Sequence, residues 1–423
     1  MLKKIILVGR KIIVISLVFI LVFTSLLFPV SAALADVVQY DAAEVSKIMK
    51  ETDLFNLKSK SAILMDVATG DILLESNSQE KRPIASITKI MSMILIMEAI
   101  QNGKLAFDDM VQVSEYSYGF GGSQAYLAPG EEFTVHEMMK AVAIHSANDA
   151  TVALAEKVAG SEETFVAMMN EKAEELGLTD THFRDCSGLT AEGHYSTAYD
   201  VAVMSREVVK NYPKILEYTK IWHDTFRDGT FSLDNTNKLI RHYSGTIGLK
   251  TGYISDAGHC LSAVVKRENL SLISVVLGAP DSNTRFAESR KLLDYGFANF
   301  ETTVLEEKNT EMGIIEVKKG LTTSVKALLA DNVNVLLKKG TKQKIERHVN
   351  MEPFLIAPIE AGQKIGEVIY KLEEKEIAKV DIVAEESIEK ASFIKLFFRM
   401  VLEWFGIGKN KGDGKGDGNN TVK

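Results

Sequence analysis

Cysteine is nearly absent. The 423 residues hold two, Cys186 and Cys260, and neither stands in a cluster with zinc-ligand spacing. A disulfide framework is therefore excluded; the pair reads as two buried free thiols, although sequence alone leaves a single bridge open. Excess positive charge is missing as well. Lys and Arg number 49 against 57 Asp and Glu, a net charge of −8, which argues against a nucleic-acid partner because that would favour a basic face. His136 and His145 have no metal-ligand company, so no metal and no cofactor is implied. A Ser-His-Asp hydrolase lacks its signature too. Gly121-Gly122-Ser123-Gln124-Ala125 misses the last glycine of the nucleophile elbow, and His223-Asp224 reads as a surface pair. What is present, 46% hydrophobic and 25% charged residues, suits a globular chain with a real core and room for two to three domains.

Both ends carry apolar segments. Lys3, Lys4, Arg10 and Lys11 precede an apolar run over 12–30, and Ala33-Leu34-Ala35 follows. That order reads as a secretory signal peptide over 1–35, removed after Ala35; the run is also long enough to span a bilayer, so an uncleaved anchor is the alternative. Near the other end, 391–407 is rich in Phe, Leu and Ile, while Lys395, Arg399 and Glu403 recur every fourth residue on one helical stripe. A charge at every turn makes spanning costly and suits an amphipathic helix over 387–408 lying in the membrane interface, with Trp404 dipping into it. A helix packed on the preceding domain is the alternative. The Gly-, Lys-, Asp- and Asn-rich stretch 409–423 reads as a disordered tail.

Between the ends, alternation over 62–76 around Thr69-Gly70 predicts a β-hairpin. Apolar residues then crowd 87–100 on all sides of a helix, which implies burial nearly all round. Ser86 stands at the start of that helix, and Lys89 follows three residues on along the same face. Thr134-Val135-His136-Glu137 is a capping box opening another helix. Ser146-Ala147-Asn148 is expected on a loop between it and a helix reaching Val158. Further on, 248–266 predicts a hairpin, 270–277 a strand and 285–297 a closing helix. Short alternating runs at 313–317, 333–337 and 364–370 predict an all-β domain. It holds no nucleophile–base pair, so a spacer or protein-contact role fits it better than chemistry.

Three motifs carry chemistry: Ser86-Ile87-Thr88-Lys89, Ser146-Ala147-Asn148 and Lys250-Thr251-Gly252. Each is weak alone; Ser-x-x-Lys recurs at Ser78/Lys81, Ser387/Lys390 and Ser392/Lys395. Together they supply a nucleophile with its base, a proton relay with an amide binder, and a cationic strand, the parts of an acyl-transfer site.

The trio, in this order, resembles the penicilloyl-serine transferase superfamily, whose signatures are of this kind. The stretches 84–91, 145–150, 248–258 and 278–297 look like the low-molecular-mass penicillin-binding proteins, and among these the serine-type D-alanyl-D-alanine carboxypeptidases. The resemblance implies an α/β (α+β) fold. A β-lactamase/transpeptidase-like catalytic domain over 36–300, with an antiparallel sheet flanked by helices, would precede a small all-β domain over 301–386 and the amphipathic helix. It also implies roles. Ser86 would attack the carbonyl of the penultimate D-alanine, with Lys89 as base and Ser146 passing the proton to the departing amine. Asn148 would bind the peptide amide, and Lys250 and Thr251 the terminal carboxylate. The N–H groups of Ser86 and Tyr253 would hold the oxyanion, and Gly252 would let the strand edge come close to substrate. Burial and nearness to Lys250 would lower the Lys89 pKa. The implied partners are peptidoglycan stem peptides, β-lactam inhibitors and the membrane surface, with the enzyme at the outer face of the cytoplasmic membrane.

Rivals lack features. A class A β-lactamase would need a Glu-x-x-Leu-Asn stretch between Ser146 and Lys250, and none is present. A catalytically silent wall-binding or penicillin-sensing protein would be favoured by loss of Ser86 or Lys89, and both are there. Transpeptidation, with an amine in place of water, stays open.

Overall fold

The computed structural model describes residues 55–189, 192–340, 345–372 and 375–404; the expected signal peptide and the tail over 409–423 lie outside them. Five strands form an antiparallel sheet in the order Ile72–Ser76, Ser61–Asp66, Leu270–Ala279, Gly258–Arg267 and Thr246–Ile254. Side-chain alternation along the strands feeds two cores at once. Ile63, Met65, Val264 and Ile273 enter one; Ala62, Leu64, Ala263 and Leu272 enter the other. Because both faces are covered, Leu270–Ala279 is almost wholly apolar.

The first core is helical. It gathers Lys89–Gln101, Asn148–Ala159, Glu162–Glu175 and Ala198–Asn211. The first of these is buried without a break from Lys89 through Met97, as its all-round apolar sequence requires. The second core lies under Ser282–Asn299, which begins earlier than the apolar pattern suggests because the Asp281 side chain accepts from Thr284 N and caps it. Gly296 lets this helix approach the sheet: a Cβ there would stand 2.5 Å from Leu272 Cδ1.

Two local expectations are corrected. The capping box does open Val135–Lys140, but the chain continues through a π turn, Ala141–His145, and Asn148 is already the first residue of the next helix. Only Ser146 and Ala147 link the two, so the Ser-x-Asn motif is a tight joint and not a free loop. His223 and Asp224 do not pair. Neighbouring strand residues face opposite sides, and His223 instead meets Asp234 at 2.9 Å while Asp224 meets Lys140 at 2.8 Å. Cys186 and Cys260 are both buried free thiols.

From Phe300 onward the chain is β-structured, with a six-stranded and a two-stranded sheet around Ile315, Val325, Leu329, Val368 and Ile382. Residues 387–392 belong to this unit: Ile388 bridges to Ile359 and Lys390 to Gly320. The terminal helix is therefore shorter than expected, Phe393–Trp404 among the described residues. Arg399 donates to the carbonyls of Gly320 and Leu321, 3.1 Å each, and so faces the β unit. Phe393, Ile394, Phe397 and Phe398 are left exposed. No described helix is long and apolar enough to cross a membrane.

Candidate active site

Residues Ala85–Thr88 form one 3-10 turn ahead of the buried helix. Ala85 holds φ +49°, a left-handed conformation uncommon for a residue with a Cβ, and it aims the following residue out of the helix line. Ser86 is half-buried, and its Oγ accepts from Lys89 Nζ at 3.1 Å. Lys89 is wholly buried, and its ammonium also donates to Asn148 Oδ1 at 2.5 Å and to the Ser187 carbonyl at 2.6 Å. Burial pulls its pKa from 10.5 down to about 8, against the opposing pull of Cys186, Asp185 and Asp149. The charge coupling with Lys250 acts on the other partner, where Lys89 lowers the Lys250 pKa.

Asn148 has both ends of its amide engaged: Oδ1 takes Lys89, and Nδ2 donates to the Gly121 carbonyl at 2.7 Å. By valence, one Nδ2–H and one Oδ1 lone pair remain beyond these two bonds. Ser146, at φ +66°, sits two residues away and is buried. Asp149, the residue after Asn148, ties down the 125–127 segment, accepting from Ala125 N at 3.0 Å and Leu127 N at 3.1 Å.

Lys250, Thr251 and Gly252 lie on Thr246–Ile254, the edge strand of the sheet. Lys250 is buried and donates to the Thr251 carbonyl at 3.1 Å; burial first, then Lys89 and Arg285, push its pKa well below 10.5. Thr251 Oγ1 donates to Thr236 Oγ1 at 2.6 Å. Gly252 also serves a contact within the protein: a Cβ there would stand 2.7 Å from the Ile84 carbonyl and 3.1 Å from Ser86 N. Its bare Cα thus lets the strand reach the turn that carries Ser86. The exposed Tyr253 ring stacks on His259, centroids 4.4 Å apart. Arg285 ties this strand end down through the carbonyls of Gly252 at 3.0 Å and Cys260 at 3.2 Å.

Ser86, Lys89 and Asn148 are thus joined directly, Gly252 abuts Ser86, and Lys250 is coupled to Lys89 through charge. Sequence reasoning missed Ser187, Thr236 and Arg285. Only the turn text Asp185-Cys186-Ser187-Gly188-Leu189, an Asp ahead of Ser-Gly, hinted at the first. Among the described residues there is no His, Cys, Asp and Glu group able to hold a metal ion.

Comparison with known proteins places this geometry. The family profile described as D-alanyl-D-alanine carboxypeptidase matches residues 46–281, and that of the penicillin-binding protein 5 C-terminal domain matches 300–390. The chain is 42% identical over 359 residues to D-alanyl-D-alanine carboxypeptidase DacF of Bacillus subtilis, covering 84% of this chain and 92% of that one. It is 33% identical to DacC of Escherichia coli, covering 83% and 90%. Penicillin-binding protein 5 from Haemophilus influenzae superposes with a TM-score of 0.69 at 32% identity, over 79% of this chain and 98% of its own. Penicillin-binding protein D2 from Listeria monocytogenes, solved in an ampicillin-bound form, superposes at 0.53 with 31% identity, over 57% and 98%. The chain belongs to the D-alanyl-D-alanine carboxypeptidase family.

Proposed function

We propose that this chain is a serine-type D-alanyl-D-alanine carboxypeptidase that removes the terminal D-alanine from peptidoglycan pentapeptides through an acyl-enzyme on Ser86. One observation carries the reading: a wholly buried lysine, its pKa drawn to about 8, stands 3.1 Å from a serine hydroxyl at a helix start. A hydroxyl is a poor nucleophile until a base takes its proton. Neutral Lys89 takes that proton as Ser86 Oγ bonds to the penultimate carbonyl carbon. The oxyanion is received by the N–H groups of Ser86 and Tyr253. As the C–N bond breaks, the proton passes from Lys89 through Ser146 to the leaving D-alanine amine. Water then adds to the ester carbon, giving its proton to the same base, and Ser86 leaves with a proton restored. Lys250 and Thr251 hold the terminal carboxylate. Lys250 is held toward its neutral form by burial, and an arriving carboxylate supplies the counter-charge that favours its ammonium. A β-lactam enters as a cyclic amide with a carboxylate on the same side, and its acyl-enzyme persists.

In this reading 1–35 directs export and is removed, 36–300 is the catalytic unit, and 301–386 lifts it from the membrane. The terminal helix lies on the outer face of the cytoplasmic membrane. The exposed Phe393, Ile394, Phe397 and Phe398 support this, since an apolar helix face turned away from its own domain suits lipid. The test is D-alanine release from a synthetic pentapeptide with intact-mass analysis after penicillin. Release together with a single adduct that Ser86→Ala abolishes is expected; an adduct persisting on Ser86→Ala would overturn the assignment.

A further inference from the structure

Behind the nucleophile turn lies a buried histidine that the reaction as described does not use. His194 is 1% exposed, and its Nε2 lies 2.7 Å from Thr88 Oγ1. Its tautomer follows from its neighbours. Thr88 Oγ1 spends its single proton on the Ala85 carbonyl at 2.8 Å, and Arg184 N donates to His194 Nδ1 at 3.3 Å. Nε2 therefore carries the hydrogen and donates to Thr88. Asp185 Oδ2, at 3.7 Å from Nδ1, is outside hydrogen-bond range and is a charge neighbour only. The result is a directed chain: Arg184 N–H to His194, His194 N–H to Thr88, Thr88 O–H to the Ala85 carbonyl.

That carbonyl belongs to the same rigid peptide plane as Ser86 N–H. Ala85 holds its left-handed φ of +49° without being glycine, so the plane needs an external hold. Two contacts provide it. One is the Thr88 hydroxyl. The other is Gly188, which packs so closely that a Cβ on it would stand 2.0 Å from the Ala85 oxygen. Asp185 fixes that turn by accepting from the N–H groups of Ser187 at 2.8 Å, Gly188 and Leu189 at 3.3 Å.

We propose that His194, acting through Thr88, is a positioning residue for the oxyanion pocket: it orients the Ala85–Ser86 peptide and polarises it, so that Ser86 N–H donates more strongly to the developing oxyanion. A hydrogen bond to a carbonyl strengthens the N–H at the other end of the amide, as in other hydrogen-bond chains. The inference rests on the assignment of Ser86 as nucleophile. Outright loss of one oxyanion donor costs about 10²–10³-fold in rate. A donor that stays but is weaker and less well aimed loses a part of that, roughly 10-fold.

The experiment is stopped-flow acylation of the soluble enzyme by benzylpenicillin, separating the limiting rate from the half-saturating concentration. Thr88→Val keeps the shape and removes the hydroxyl; Thr88→Ala replaces it if valine does not fold. His194→Met removes the N–H donor. Each is expected to lower the limiting rate about 10-fold, with half-saturation changed less than about 2-fold. Thr88→Ser and His194→Gln, which restore a hydroxyl and an N–H, should recover to within about 3-fold of the unaltered enzyme. A side chain that only fills space predicts the opposite pattern: lowered thermal stability with an unchanged limiting rate, and no advantage for serine or glutamine. That pattern would overturn the proposal while leaving the Ser86 assignment standing. Absence of acylation in the unaltered enzyme would overturn both.

Discussion

In the proposed mechanism neutral Lys89 is the reactive form, so its titration should be visible in the rate. With a pKa of about 8, roughly 9% of the lysine is neutral at pH 7, against about 0.03% for a lysine at 10.5. Burial thus raises the supply of base about 300-fold, equivalent to about 3.4 kcal/mol at 1.36 kcal/mol per pKa unit. The limiting acylation rate should climb about 50-fold between pH 6 and pH 8 and level off above that. The half-saturating concentration should rise over the same range. Lys250 must be charged to hold the carboxylate, its pKa lies well below 10.5, and binding should weaken as pH rises. Stopped-flow acylation across pH, analysed for both parameters, reads the two limbs separately. Lys89→Arg keeps the charge but stays protonated at any working pH, and should abolish acylation while binding persists. A flat limiting rate, or near-normal acylation in Lys89→Arg, would refute the base role.

Three further outcomes are expected. The unfolded chain holds more protons than the folded one between pH 8 and 10.5, because the Lys89 pKa falls on folding; stability of the parent relative to Lys89→Met should therefore rise by up to about 3 kcal/mol across that window, and equal urea curves at pH 7.5 and 10.5 would contradict it. Gly188→Ala forces a Cβ against the Ala85 carbonyl at φ +82° and should cost more than about 3 kcal/mol in urea unfolding, a loss below about 1 kcal/mol arguing against the packing described. Ending the chain after Ser392 should abolish binding to anionic vesicles and leave soluble activity intact, whereas ending it before Ser387 should also weaken the β unit by removing the Ile388–Ile359 bridge; identical vesicle partitioning of full-length and shortened mature chains would remove the lipid role.

The sequence was most legible where chemistry sits on side chains at fixed spacing. Ser86 and Lys89 are three apart on a helix, and helical geometry alone puts them within reach. It was least legible where a backbone group acts. The Ser187 carbonyl that receives Lys89 comes from 98 residues away and carries no side-chain signature. Thr236 is similar: an ordinary threonine until the fold sets it 2.6 Å from Thr251. His223 and Asp224 mislead for the opposite reason, since adjacency in sequence means opposition on a strand. The period of the terminal helix was readable, but which stripe faces the protein depends on where the Gly320 and Leu321 carbonyls lie.

That last contact has a mechanical meaning. An amphipathic helix joined by a loose linker would let its enzyme roam over a hemisphere of wall. Here Arg399 holds two carbonyls of the Gly320–Leu321 turn, and the Lys390–Gly320 bridge precedes the helix by three residues, so the helix has little freedom to swivel. In the proposed reading, with that helix on lipid, the β unit would act as a post of set height, and reach would be chosen by the protein's own dimensions: only stem peptides lying in one thin layer above the bilayer would meet Ser86.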